Sequence, residues 1–229
     1  MRNVFVAGCP RTGTGFVVKA LEVCGWRSSI DSGGDPVVVE NREHPCFAAV
    51  VATVLRANDS MMLGADLAVS VKAGGSGADL LFAGTPQGLV EPWVVKNNGV
   101  LAAYPALREV YGYPPLVVTV RRPGPSITSL VKYLAVGELR ARKIWTAAMV
   151  NALALYALYP GAIFFVTFPE LEGLQEFVEA AGGTYDATGV ARLFDGGRVH
   201  VGEHATTGVL DDLYAAMLGR LGWRRQSAS

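Results

Sequence analysis

The segment Gly8-Cys9-Pro10-Arg11-Thr12-Gly13-Thr14-Gly15 constrains this chain more than any other stretch. It follows a short apolar run at residues 3–7 (NVFVA), which fits a buried strand of a parallel sheet. After it, Phe16, Val17, Ala20, Leu21 and Cys24 recur at helical spacing, and Gly25 ends the pattern. Strand, glycine loop and helix in that order form the opening unit of a nucleotide-binding α/β fold. In a G-x-x-x-x-G-K-[ST] loop, glycines let backbone N–H groups turn inward around a phosphate, and the helix N-terminus adds partial positive charge. Gly8 and Gly13 keep that spacing, but Thr14 stands at the lysine position and Gly15 at that of the metal-binding hydroxyl. Those two groups serve β/γ-phosphate transfer. A loop without them suits a phosphate-like anion and no metal-assisted γ-phosphoryl chemistry. Arg11 can supply the cation instead, and Thr12 and Thr14 hydroxyl donors.

The remaining chain alternates strand and helix signals. Strands are expected at 37–39, 93–95, 116–120 and 163–168, with a further one at 67–71. Helices are expected at about 46–55, 100–111, 126–135, 138–159, 171–181 and 210–221. Residues 58–88, with their AGGSGAD stretch, read as a variable insertion. The alternation predicts one α/β domain over 1–229, a P-loop fold with a central parallel sheet and helices on both faces.

Composition narrows the partners. Lys+Arg and Asp+Glu balance at 20 each, so nothing points to a nucleic-acid or anionic-membrane surface. An anion must then be held by a local site. Three cysteines (Cys9, Cys24 and Cys46) form no C-x-x-C pair, which suits a reducing compartment, and the three histidines lack metal-ligand spacing. The most apolar stretch, 147–168, contains Asn151 and is broken at Pro160-Gly161, so it reads as helix then strand and not as a membrane span. The expectation is a soluble cytoplasmic protein without a resident metal.

The residues Pro10-Arg11-Thr12-Gly13-Thr14-Gly15-Phe16 resemble the 5′-phosphosulfate loop of sulfotransferases that use 3′-phosphoadenosine 5′-phosphosulfate (PAPS). That loop reads Pro-[Lys/Arg]-[Ser/Thr]-Gly-Thr-[Thr/Ser]-aromatic, and Gly15 is the departure from it. The family also carries Arg-x-Pro at a strand end, with a serine eight residues after the arginine. Arg121, Pro123 and Ser129 match that spacing. The resemblance implies that Arg11, Thr12, Gly13, Thr14, Gly15 and Phe16 bind the donor's 5′ side, and Arg121 and Ser129 its 3′-phosphate. Arg198, in a late glycine-rich segment, is implied as a further contact. Arg11 would steady the leaving group.

For the base, some relatives use a histidine in a Lys-Thr-His motif. Here Lys96-Asn97-Asn98 keeps only the lysine, which could touch the sulfuryl group. Others use a glutamate after the second strand, which makes Glu40, then Glu43, the expected base. The acceptor, a small molecule or carbohydrate, would meet walls such as Phe47, Trp93 or Tyr133. A kinase-like P-loop enzyme and a non-catalytic nucleotide-binding module are the alternatives.

Overall fold

A computed structural model describes residues 1–28, 51, 91–196 and 208–227. The expected elements at 37–39 and 67–71, the 58–88 insertion and all of the 46–55 helix except Val51 lie outside the described residues.

Among the described residues, four strands are near-continuous apolar runs, as burial on both faces requires. They are β1 (Val4–Gly8), β2 (Val94–Lys96), β3 (Leu116–Val120) and β4 (Ile163–Thr167). All pair in parallel, in the order β2-β1-β3-β4. The glycine loop therefore leaves a central strand, with Val6 beside Lys96 on one side and Gly8 beside Thr119 on the other.

Helix α1 (Thr14–Val23) follows β1, and α2 (Val100–Val110) follows β2. Helices α3 (Pro123–Leu134) and α4 (Glu138–Leu158) connect β3 to β4. Then come α5 (Leu174–Ala180), α6 (Ala187–Arg192), a short 3₁₀ turn (Leu193–Gly196) and α7 (Val209–Ser227).

Side-chain alternation along the strands divides the core between two faces. Phe5, Ala7, Val118 and Phe165 pack with Tyr104 and Leu107 of α2, Trp145 and Met149 of α4 and Met217 of α7. Val4, Val6, Val117 and Val166 pack instead with Val17 and Leu21 of α1, Phe177 of α5 and Val190 of α6. The architecture is thus α/β, a parallel sheet covered on both sides, as the alternation predicts.

Several boundaries differ from expectation for identifiable reasons. Helix α3 begins at Pro123, three residues early, because proline suits the first helical position where no N–H is needed. Helix α5 begins late, at Leu174, because Leu171 and Gly173 both hold positive φ, 56° and 87°. Helix α6 was not expected at all, although its cap is in the sequence: Asp186 Oδ1 accepts from the Gly189 N–H at 2.8 Å. Trp93 is a core residue and no pocket wall, with its ring centroid 5.3 Å from that of Phe5. The break after α4 falls where Pro160-Gly161 puts it. Among the described residues no helix is long and apolar enough to cross a membrane.

Candidate anion-binding site

Parallel strands bring their carboxyl ends to one edge of the sheet, and ligands of open α/β sheets bind there. Here that edge carries the loop after β1, Lys96 at the end of β2 with Asn97-Asn98 after it, Arg121-Arg122 after β3 and Phe168-Pro169 after β4.

The loop is braced from below. The Thr12 hydroxyl is fully buried and donates to the Cys9 carbonyl at 2.7 Å, while its N–H donates to the same oxygen at 3.2 Å. Thr119 of β3 donates its own hydroxyl to Ala7 O at 3.1 Å. A side chain at Gly8 would lie 2.8 Å from the Thr119 carbonyl, so only glycine lets the two strands meet at this point. Gly13 turns the chain into α1 at φ 92°, with the Phe168 ring against the space a Cβ would need. Past that turn, Thr14 and Gly15 begin α1. Their N–H groups have no acceptor among the described residues, as expected of a first helical turn. Gly15 itself faces open space.

Two arginines close over this frame. Arg11 is exposed and holds φ 70°, and its Nε donates to Ser129 Oγ at 3.3 Å. Its guanidinium also lies 4.2 Å from the centroid of the Tyr133 ring. Arg121 is only 7% exposed, and its Nη1 donates to the Arg11 carbonyl at 3.3 Å. Its guanidinium stands 5.5 Å from the centroid of Phe168. Burial and then the nearby Arg11 cation push the Arg121 guanidinium below its usual range, while Glu170 pulls it back up. A cation lowered by another cation is a place where a bound anion is stabilised.

The structure therefore brings Arg11, Thr12, Gly13, Thr14, Gly15, Arg121 and Ser129 to one edge. Phe16 joins them at the base, its ring 5.6 Å from Phe168 and 4.4 Å from Phe194. Lys96 ends β2 at 6% exposure, deep for a lysine. Asn97 serves α2, accepting from the Gly99 N–H at 2.8 Å. Asn98 Oδ1 is buried with no hydrogen-bond partner among the described residues. Glu40, Glu43 and Arg198 lie outside the described residues, as does Phe47. Sequence reasoning missed Phe168 and Thr119, which look like ordinary core and strand positions until the loop is seen resting on them. Among the described residues no cluster of His, Cys, Asp or Glu could hold a metal.

No protein-family model matches the chain, and no curated protein does. Solved structures do. Sulfotransferase STF1 from Mycobacterium tuberculosis superposes with a TM-score of 0.54 at 16% identity, over 95% of this chain and 76% of that one. The sulfotransferase domain of the Synechococcus PCC 7002 olefin synthase gives 0.51 at 14% identity, over 95% of this chain and 96% of that domain. The fold is that of the sulfotransferases. A sulfotransferase domain from the curacin biosynthetic pathway also matches, at a TM-score of 0.49 and 14% identity over 93% of this chain and 83% of that one. Within that fold, the loop after β1 and the strand end at Arg121 lie at the same carboxyl edge of the sheet.

Proposed function

We propose that this chain is a sulfotransferase that moves a sulfuryl group from PAPS to a hydroxyl or amine of a small-molecule or carbohydrate acceptor in the cytoplasm. The observation that supports it most is the Arg11–Ser129 contact, made across 118 positions of sequence, with Arg121 bonded to the Arg11 carbonyl. One edge thereby offers a helix N-terminus for a first anion and a buried arginine with a serine for a second. A donor carrying a 5′-phosphosulfate and a 3′-phosphate needs two such places. A nucleoside triphosphate would want the lysine and metal-binding hydroxyl that Thr14 and Gly15 replace.

In this reading the first-turn N–H groups of Thr14 and Gly15 hold the 5′-phosphate. Arg121 and Ser129 hold the 3′-phosphate, with the planar guanidinium fork matched to phosphate oxygens. Thr12 acts through its buried brace on the loop, and Phe16 shapes the base of the site. Arg198 adds a contact assigned from sequence position alone. PAPS supplies the sulfuryl group, whose bond to the bridging oxygen breaks as the acceptor oxygen or nitrogen bonds to sulfur. Arg11 steadies the charge that develops on the departing phosphate, and Lys96 the sulfuryl oxygens. Glu40, or failing it Glu43, takes the acceptor's proton. Asn98 cannot, since an amide is no base.

A thermal shift series tests the reading. The expected result is stabilisation by 3′,5′-ADP and none by ATP with Mg²⁺; the reverse pattern would favour a kinase-like enzyme and sink the proposal. Glu40→Gln is expected to abolish transfer while leaving 3′,5′-ADP binding intact. Binding by the native chain without transfer to any acceptor would leave a nucleotide-binding module.

A further inference from the structure

Arg11 is the exposed cation of the loop, and a long exposed side chain ordinarily samples many rotamers. When a ligand must hold such a side chain still, the lost rotamer freedom is taken out of its affinity. Here Arg11 is already held at three points. Its backbone is fixed by the Arg121 bond to its carbonyl, its Nε by Ser129 Oγ, and its guanidinium plane by the Tyr133 ring at 4.2 Å. The ring restrains the plane without consuming an N–H donor. Both Nη nitrogens consequently have no hydrogen-bond acceptor among the described residues. Lys132 also approaches this ring, but its Nζ stands farther off, at 5.2 Å. Tyr133 is 44% exposed on α3, so the ring is not there to fill the core.

From this we propose that Tyr133 is a positioning residue: its ring seats the Arg11 guanidinium in advance, leaving both Nη nitrogens to a bound phosphate or sulfuryl oxygen. The ring and not the hydroxyl carries the effect. The inference rests on the sulfotransferase reading for the identity of the anion, and on the geometry alone for the seating of Arg11.

The experiment therefore has two arms, applied to the full chain and its Tyr133→Phe and Tyr133→Leu variants. The first is calorimetric binding of 3′,5′-ADP. Tyr133→Phe is expected to bind as the native chain does, and Tyr133→Leu about two- to fivefold more weakly, the range for an exposed cation–π contact. Equal binding by the leucine variant overturns the proposal. The second arm needs no ligand. The Arg11 Nε–H resonance, assigned by its loss in Arg11→Lys, is read by heteronuclear NOE. It is expected to be ordered in the native and phenylalanine proteins and mobile in the leucine variant; an unchanged NOE there also overturns the proposal. Should the native chain bind no 3′,5′-ADP, the sulfotransferase reading falls, and the second arm still decides the role of Tyr133.

Discussion

Gly13 and Gly15 are two positions apart in the loop and under opposite constraints. Gly13 combines φ 92° with the Phe168 ring pressed where a Cβ would be. Gly13→Ala is expected to cost about 2–5 kcal/mol, summing left-handed strain and overpacking, and to be read as a lowered denaturant midpoint. Gly15 has nothing within 4 Å of a built Cβ. Gly15→Ser restores a hydroxyl and replaces glycine inside a helix, a gain of about 0.5 kcal/mol. It should raise the melting temperature slightly and tighten 3′,5′-ADP binding several-fold; weaker binding would show that open space there is needed by the ligand. The sequence carried the spacing of both glycines but not this difference. What separates them is Phe168, a residue 155 positions beyond Gly13 in the chain, and only the folded sheet brings it there.

At the scale of elements, the edge that holds the candidate site is assembled from helix starts and strand ends. Strand β3 matches its sequence expectation residue for residue, and helix α1 takes in the periodic positions Phe16, Val17, Ala20 and Leu21, since both are plain apolar patterns closed by glycine or by Arg-Arg-Pro. Where the expectation slipped, local backbone geometry outweighed the pattern: proline pulled α3 forward, and positive φ at Leu171 delayed α5. The places of Arg121 and Ser129 at this edge were legible because their spacing is local, one strand end and the helix after it; their proposed role is a separate matter for the binding experiments. Tyr133 was legible only as an aromatic residue, since its stacking on Arg11 is a tertiary fact. The far end of α3 holds one more strained residue. Ala135 caps the helix at φ 50° and ψ 34°, a conformation glycine adopts at less cost. Ala135→Gly is expected to stabilise the protein by about 0.5–1 kcal/mol in equilibrium unfolding, and a loss of stability would mean the Cβ makes a contact worth more than the strain.

For the whole molecule, the expectation of helices on both faces was legible from the alternation of patterns. Trp93 was misplaced because an aromatic residue at the start of an expected strand reads alike as a pocket wall or as core. The core also predicts a pH response. Burial pushes the Tyr104 and Tyr111 hydroxyls up to about 12 from 10.0. An unfolded chain releases these protons first, so it binds fewer protons than the native state between those values. Stability is therefore fully present below pH 10 and falls as pH rises through about 12. Unfolding followed across that window should show the loss, and Tyr104→Phe should flatten it; an identical slope in the variant would place the effect elsewhere.

The central position of β1 has a consequence for how the molecule comes to exist. Its neighbours on either side, β2 and β3, are distant in sequence; Arg11 just beyond β1 and Arg121 just beyond β3 are separated by 110 positions. Loop-closure entropy must be met before such pairings stabilise anything, which makes folding slow. Until then VFVAG is an uncharged, β-prone segment with both of its edges unpaired. The strand that leads into the candidate site is thus open to mispairing during synthesis. Yield of folded protein is expected to respond to chaperones and to temperature before activity does.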